Sequence, residues 1–196
     1  EPWKDQIYRL NVKTGKMRPV PGLPDGPKEQ VRWSPNGRWI AYAGRVGLSG
    51  TYDVANLELF ICDPVTGRPK SLTGKTDYCL SAACLSDTAE ATFNAVIEWS
   101  PDSRKIYFRV GWHGEGHICS VRPGGGDVTF HTSGPSENLL SNFDASGKRV
   151  AMLYSSSVRP PEVYLGEARQ GKFALRPLTD FNAAFLKEVE VRKPQS

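Results

Sequence analysis

Val31-Arg32-Trp33-Ser34-Pro35-Asn36-Gly37-Arg38-Trp39-Ile40-Ala41-Tyr42 decides the fold, because the chain repeats it. A second copy is Ile97-Glu98-Trp99-Ser100-Pro101-Asp102-Ser103-Arg104-Lys105-Ile106-Tyr107-Phe108. A worn third is Ser141-Asn142-Phe143-Asp144-Ala145-Ser146-Gly147-Lys148-Arg149-Val150-Ala151-Met152. Each reads as strand, tight turn, strand. Ser-Pro-Asn-Gly suits a type I turn, with Pro presetting φ at the second corner and Gly closing the fourth. The apolar positions alternate with period two: Val31/Trp33, Ile97/Trp99 and Phe143 share one face before the turn. Ile40/Tyr42, Ile106/Phe108 and Val150/Met152 share one face after it.

A second element repeats between these copies. Ile7-Tyr8-Arg9-Leu10 leads to a polar turn closed at Gly15, Leu59-Phe60-Ile61-Cys62 to one at Gly67, Ile118-Cys119-Ser120-Val121 to one at Gly126, and Val163-Tyr164-Leu165 to one at Gly171. The glycines recur with a period near about 45 residues, lengthened twice by insertions. Two strands around the Trp-Ser-Pro turn and two around the Gly-closed turn make a four-stranded antiparallel unit, which is one blade of a β-propeller. The expected fold is therefore all-β, with three complete blades (30–73, 95–132 and 138–179) after a partial blade (1–24) that holds only third and fourth strands. Leu72-Thr73 and Leu178-Thr179 close two blades alike. Such a set is expected to be part of a larger ring of about seven or eight blades, the alternative being a small ring of about four closed by the last segment. Insertions fall at 44–55 and 74–94, and a smaller loop is expected at Gly111-Trp112-His113-Gly114-Glu115-Gly116-His117.

The 196-residue chain has material for one medium domain, and its 39% hydrophobic content argues against disorder. No apolar run is long enough to span a bilayer and no charged-then-apolar leader opens the chain, so a soluble domain with no membrane contact is expected. Lys and Arg, which give a net charge of +4, are scattered singly. Nucleic-acid binding calls for a clustered basic stripe, and none is legible.

Catalytic and metal chemistry leave few candidates. Gly47-Leu48-Ser49-Gly50-Thr51 lacks the closing Gly of a nucleophile elbow and reads as a loop. Gly124-Gly125-Gly126 reads as a hairpin turn and not a phosphate cradle. His113 and His117, with Glu115 between them, could approach a metal only if their glycine-rich loop curled, and a turn is the simpler account. His131 is expected as a solvated strand-edge residue, and Asp77, Asp87 and Glu90 as loop acids. Cys62 and Cys119 lie in apolar strands as small buried residues. Cys79 and Cys84 are candidates for a local disulfide, which would argue for an oxidising compartment. No catalytic, cofactor-binding or metal residue is assigned.

The Trp-Ser-Pro motifs, each followed by an Ile-x-Tyr/Phe strand, resemble the propeller repeats of the prolyl oligopeptidase family of serine peptidases. Similar blades occur in Tol-system propellers, so a non-enzymatic periplasmic propeller that binds proteins is the alternative. Leu178-Thr179-Asp180-Phe181-Asn182-Ala183-Ala184-Phe185-Leu186, with Glu188-Val189-Glu190 on a strand-like stretch, is similar to the joint between last blade and catalytic domain in the acylaminoacyl-peptidase and dipeptidyl-peptidase branches. The resemblance implies a parent enzyme that cleaves short peptides or acyl-peptides with a Ser-Asp-His triad on an α/β-hydrolase domain. The propeller would gate that site, and 181–196 would lead toward the hydrolase. The implied partners are that hydrolase domain, the remaining blades and a peptide substrate. No triad residue can be carried onto this chain. Glu188 and Glu190 do not form the paired glutamates that anchor a peptide amino terminus in the dipeptidyl-peptidase branch.

Overall fold

The computed structural model describes residues 4–47, 55–81 and 94–193. Their strands form β-propeller blades in sequence order. The first sheet holds β1 (Tyr8–Leu10) and β2 (Met17–Pro19); the second holds β3 (Lys28–Trp33), β4 (Ile40–Gly44), β5 (Glu58–Asp63) and β6 (Gly67–Ser71). The third holds β7 (Ile97–Trp99), β8 (Ile106–Trp112), β9 (Glu115–Val121) and β10 (Thr129–Phe130). The fourth holds β11 (Glu137–Phe143), β12 (Arg149–Ser156), β13 (Arg159–Arg169) and β14 (Lys172–Pro177). Every within-sheet pairing is antiparallel, and one parallel pair, Glu137 with Gly116, links the third sheet to the fourth.

The repeated turn is closed the same way three times. The Ser34 N–H donates to the Trp39 carbonyl at 2.8 Å, Ser100 to Lys105 at 2.9 Å and Asp144 to Arg149 at 3.0 Å. The side chain at the same position caps the returning strand. Ser34 Oγ accepts from Trp39 N, Ser100 Oγ from Lys105 N and Asp144 Oδ1 from Arg149 N. The third copy looks worn because a carboxylate replaces the hydroxyl as acceptor. The fourth corner needs a left-handed backbone, which Gly37 (φ +71) and Gly147 (φ +68) supply freely and Ser103 (φ +60) adopts. Ser103 brings something a glycine lacks: its Oγ accepts from Asn36 N at 3.1 Å, tying one turn to the next.

Sheet stacking makes the core. Ile7 and Val20 of the first sheet meet Ile40, Tyr42, Phe60 and Cys62 of the second. The second sheet's other face, Ala41, Ala43, Leu59 and Ile61, packs on Ile97, Trp99, Ile106 and Phe108 of the third. Tyr107 and Ile118 then meet Leu140, Val150, Met152, Tyr164 and Phe173 of the fourth. Alternation along the strand therefore sends successive residues into different sheet interfaces, as the period-two pattern predicts. Cys62 and Cys119 are fully buried, and burial pushes their thiols up to about 11 and about 12.

The two tryptophans of the repeat differ: Trp33 is 51% exposed, whereas Trp99 at the same repeat position is 6% exposed and donates from Nε1 to the Arg32 carbonyl of the preceding sheet. The structure corrects two local expectations. The 111–117 segment is not a loop: Gly111 pairs with Gly116 and Trp112 with Glu115, leaving His113 (φ +51) and Gly114 (φ +78) as a two-residue turn. Two positive φ angles are what a type I′ hairpin requires. The tail around Glu188 is not a strand either, because α1 spans Ala183–Glu188. Ala, Leu, Lys and Glu favour a helix there, and Glu190 follows it and pairs with Arg192 at 2.9 Å.

The shared turn chemistry leads to an expected outcome. Ser100→Ala removes the acceptor for Lys105 N and should lower unfolding stability by about 1–2 kcal/mol. Asp144→Ser, which imports the residue of the other two turns, should leave the urea midpoint nearly unchanged, and Asp144→Ala should lower it. Urea denaturation of the three variants checks the equivalence.

Candidate functional site: the loop-bearing face

The antiparallel order of strands separates the connections into two ends. The repeated turns at 34–39, 100–105 and 144–149 and the Gly-closed turns lie at one end. The other end carries residues 45–47 and 55–57, residues 72–81 and 94–96, the His113-Gly114 hairpin, residues 131–136 and the exit into α1. Irregular connections therefore gather on one face, which is the candidate functional surface.

The start of the longer insertion is pinned to that face. Leu80 is fully buried in the core between second and third sheets, and its N–H donates to the Leu57 carbonyl at 3.0 Å. Cys79 forms an isolated bridge with Gly111. Tyr78 stands edge-on to Trp112, with ring centres 5.1 Å apart, and to Phe130 at 5.5 Å. Trp112 in turn meets the His113 ring at 4.5 Å. The result is an aromatic group at the rim of the third sheet. Cys79 Sγ lies 3.3 Å from Ser81 Oγ, and its candidate partner Cys84 lies outside the described residues, as do Asp87, Glu90 and Ser49. Asp77 accepts from Asn56 Nδ2 at 2.8 Å, which ties the two insertions together.

His117 and Glu115 are brought together, and His113 is directed elsewhere. His117 Nε2 and Glu115 Oε2 are 2.8 Å apart, and His117 Nδ1 faces Thr132 Oγ1 at 3.4 Å. Among the described residues no group of three His, Cys, Asp or Glu side chains converges as a metal site. His117 is instead one version of a repeated device. Thr73, Thr132 and Thr179 each accept at Oγ1 from the N–H of the third strand, at Leu59, Ile118 and Val163. The residue before each of those N–H groups is Glu58, His117 or Glu162. Glu58 Oε2 accepts from Ser71 Oγ at 2.5 Å, and Glu162 accepts from Thr179 Oγ1.

The Glu162 version fixes the chain's exit. Its other oxygen accepts from Asn182 N and Asn182 Nδ2, both at 2.9 Å. The Thr179 hydroxyl first, and then the Asn182 donors against the effect of burial, hold this carboxyl down at about 2. The node clamps residues 179–182 onto the fourth sheet before α1 begins.

Two buried polar pairs escaped sequence reading. Arg109, 3% exposed, forms an ion pair through Nε with Glu137 of the next sheet. Its signal was a charge inside the apolar run Ile106-Tyr107-Phe108-Arg109-Val110. His131, expected in solvent, is 3% exposed; Ser120 Oγ and His131 Nε2 are 2.7 Å apart, and the ring stacks on Phe173 at 5.0 Å. A serine hydroxyl on an imidazole is the pairing a hydrolase uses, but here both side chains are sealed between two sheets. A buried dyad that no substrate can reach is structural.

No family model matches the sequence, and no curated protein matches it. Solved structures do match its fold. TolB from Acinetobacter baumannii superposes with a TM-score of 0.62 at 20% identity, covering 89% of this chain and 37% of that one. The uncomplexed Pyrococcus horikoshii acylaminoacyl peptidase gives 0.63 at 18%, covering 96% and 25%. The β-propeller domain of the Trilobed protease from Pyrococcus furiosus, described as having an open velcro topology, gives 0.56 at 17%, covering 90% and 44%. The chain is thus a β-propeller segment, spanning less than half the length of each of these proteins.

The buried imidazole gives a pH signature. Burial first, then the Lys105 and Lys172 charges, bring His131 down to about 4 from 6.5, while a hydrogen bond to the Gly171 carbonyl opposes them. The unfolded chain therefore binds the extra proton between those values, so stability is full above about pH 6.5 and falls as pH drops toward about 4, by up to about 3 kcal/mol. His131→Leu, the residue at the matching positions 72 and 178, should flatten that window in urea titrations from pH 4 to 7.

Proposed function

We propose that this chain is a propeller segment of a serine peptidase of the prolyl oligopeptidase family, gating access of short peptides or acyl-peptides and docking an α/β-hydrolase domain. On this reading residues 1–180 are blades of a larger ring and 181–196 lead toward the hydrolase. The observation that carries it is the exit of the chain. The Glu162 node fastens 179–182 to the last sheet and α1 then departs from the loop-bearing face, which suits a joint between a rigid blade and a following domain. The likeness to acylaminoacyl peptidase over 96% of this chain and the Trp-Ser-Pro repeats support the same reading. On this account the chemistry belongs to the hydrolase. The most reactive pairing in the described residues, Ser120 with His131, is enclosed.

A second reading has a specific observation in its favour. TolB from Acinetobacter baumannii superposes as well as the peptidase does, and a binding propeller would use the aromatic rim of Tyr78, Trp112 and His113 as its contact surface.

The coding frame beyond Ser196 separates the two. A Gly-x-Ser-x-Gly in a downstream α/β pattern is the expected finding. The extended protein should then hydrolyse chromogenic peptide or acyl-peptide substrates, and the 196-residue chain should not. A stop codon directly after Ser196, or turnover by the chain alone, overturns the peptidase-segment reading.

A further inference from the structure

A cavity of about 470 Å³ opens on the loop-bearing face, where Ser133 of the 131–136 connection faces Tyr154, Ser156, Arg159, Tyr164 and Leu175 of the fourth sheet. It lies beside the core that the third and fourth sheets share. The repeat shows why the space is there. Trp112 and Glu115 flank the two-residue turn of the third sheet, and Ser156 and Arg159 flank the corresponding turn of the fourth. Cys119 and Tyr164 also correspond, each following the N–H that a strand-end threonine accepts. In the preceding interface this place is filled, since Tyr78 of the insertion lies edge-on against both Trp112 and Phe130. The connection into the fourth sheet is too short to send back such a residue, and a serine stands where Trp112 would. The mouth is left open.

The polar groups around it are donors in search of an acceptor. Tyr164 is buried, and its hydroxyl accepts from Arg159 Nη1 at 3.0 Å, which holds the guanidinium at the cavity wall. Among the described residues no carboxylate forms an ion pair with Arg159, and Asp180 acts on it only at longer range. Its counterpart in the third sheet, Glu115, has the opposite charge and a partner, His117. The Tyr164 phenol proton has no acceptor among the described residues. Ser156 Oγ accepts from Val158 N at 3.4 Å and keeps its own proton to offer. Glu162, on the same strand, turns to Thr179 and Asn182 instead, and no described Asp or Glu lines the cavity. The rest of the wall is apolar: Leu175 and the rings of Tyr154 and Tyr164, whose centres are 4.8 Å apart, rest on the shared core.

An unpaired cation, two hydroxyl protons and an apolar wall are together the complement of a carboxylate carried on an apolar group. We infer that this cavity binds such a carboxylate, its oxygens accepting from Arg159 and Tyr164 and its apolar part lying on Tyr154 and Leu175. A free peptide carboxyl terminus beside an apolar side chain has this chemistry, and so does an acidic side chain beside one. The inference goes beyond the peptidase reading and uses only residues of this chain.

The test titrates the 196-residue chain with acetyl-Leu-Phe bearing a free carboxylate, with its carboxamide, and with acetyl-Glu-Phe carboxamide, reading amide NMR shifts. The free acid should shift the amides of Ser133 and Ser156–Arg159 with a dissociation constant below about 1 mM, and its carboxamide should bind about tenfold more weakly or worse. Arg159→Leu should cost about tenfold or more in affinity, and Arg159→Lys should restore only part of it, because an ammonium cannot make the bidentate pair. Tyr164→Phe should cost several-fold. Arg159 is exposed and Tyr164→Phe keeps the buried ring, so the melting temperatures should stay near that of the parent chain. Binding of acetyl-Glu-Phe carboxamide alone, lost in Arg159→Leu, assigns an acidic side chain as the source and still bears out the site. Equal binding of acid and carboxamide, unchanged affinity in Arg159→Leu, or no shift with any of the peptides up to about 10 mM overturns the inference. No hydrolase takes part in these measurements, so their failure leaves the peptidase reading untouched.

Discussion

Strands β4 and β8 are buried on both faces, and covering them dictates the rest of the molecule. Every residue of Ile40–Gly44 is buried, as are Ile106 to Val110. A hairpin in water can hide one face at best, so each sheet needs a neighbour on either side. The sheets consequently stack in series, and each interface takes alternate residues of the same strand. Register between sheets comes from the turns: Asn36 N on Ser103 Oγ, Lys70 Nζ on the Gly124 carbonyl and Trp99 Nε1 on the Arg32 carbonyl are all contacts from one sheet to the next. The hydrophobic effect makes the sheets stack, and these few directional bonds fix how.

The interfaces are not chemically equal. Between second and third sheets, Ile61 and Leu72 fill positions that Ser120 and His131 occupy between third and fourth. The two changes make sense only together. A serine alone in that core would leave a hydroxyl without a partner, and a histidine alone would leave a ring nitrogen so, whereas the pair satisfies both at 2.7 Å. With Arg109 and Glu137 nearby in the same interface, the third and fourth sheets are held by polar matching as much as by apolar area. That interface holds a buried imidazole brought down to about 4, so its stability falls as pH drops below about 6.5.

The fold was legible because its signals are local and repeated: a turn whose residue types are set by dihedral angles, flanked by period-two alternation, in three copies. The site was less legible because its residues gain their roles from other sheets. Trp33 and Trp99 sit in nearly identical sequence, and it is Ala41 and the Arg32 carbonyl of another sheet that cover Trp99. His131 read as a solvated strand end because its partners, Ser120 and Phe173, lie eleven and more residues away on other strands. The His113-Gly114 hairpin reads as a longer loop in sequence because glycines at 111 and 116 suggest flexibility, whereas in the fold they are a cross-strand pair. Gly116 is there for closeness: a Cβ would meet the Glu137 carboxylate. The tail misled because alternating Glu188 and Glu190 suit a strand in isolation. Helix-forming residues and the anchoring of Asn182 by Glu162 prevail.

The one-sided distribution of insertions has a mechanical cause. At the end that bears the repeated turns, successive turns touch: Asn36 bonds to Ser103, and Gly147 lies where a Cβ would come within 3.2 Å of Pro101. Residues added there would wedge the sheets apart and expose the double-faced strands that require them to stack. At the opposite end, neighbouring connections are joined through strand-end threonines that bind within their own sheet, at Leu59, Ile118 and Val163. Each sheet closes itself before its connection begins, so the length of that connection is free to vary without disturbing the stack. Variable segments can then acquire contacts of their own, as Tyr78 and Leu80 do against the third sheet and the core. The same constraint that makes one end of the molecule uniform thus leaves the other end available for binding.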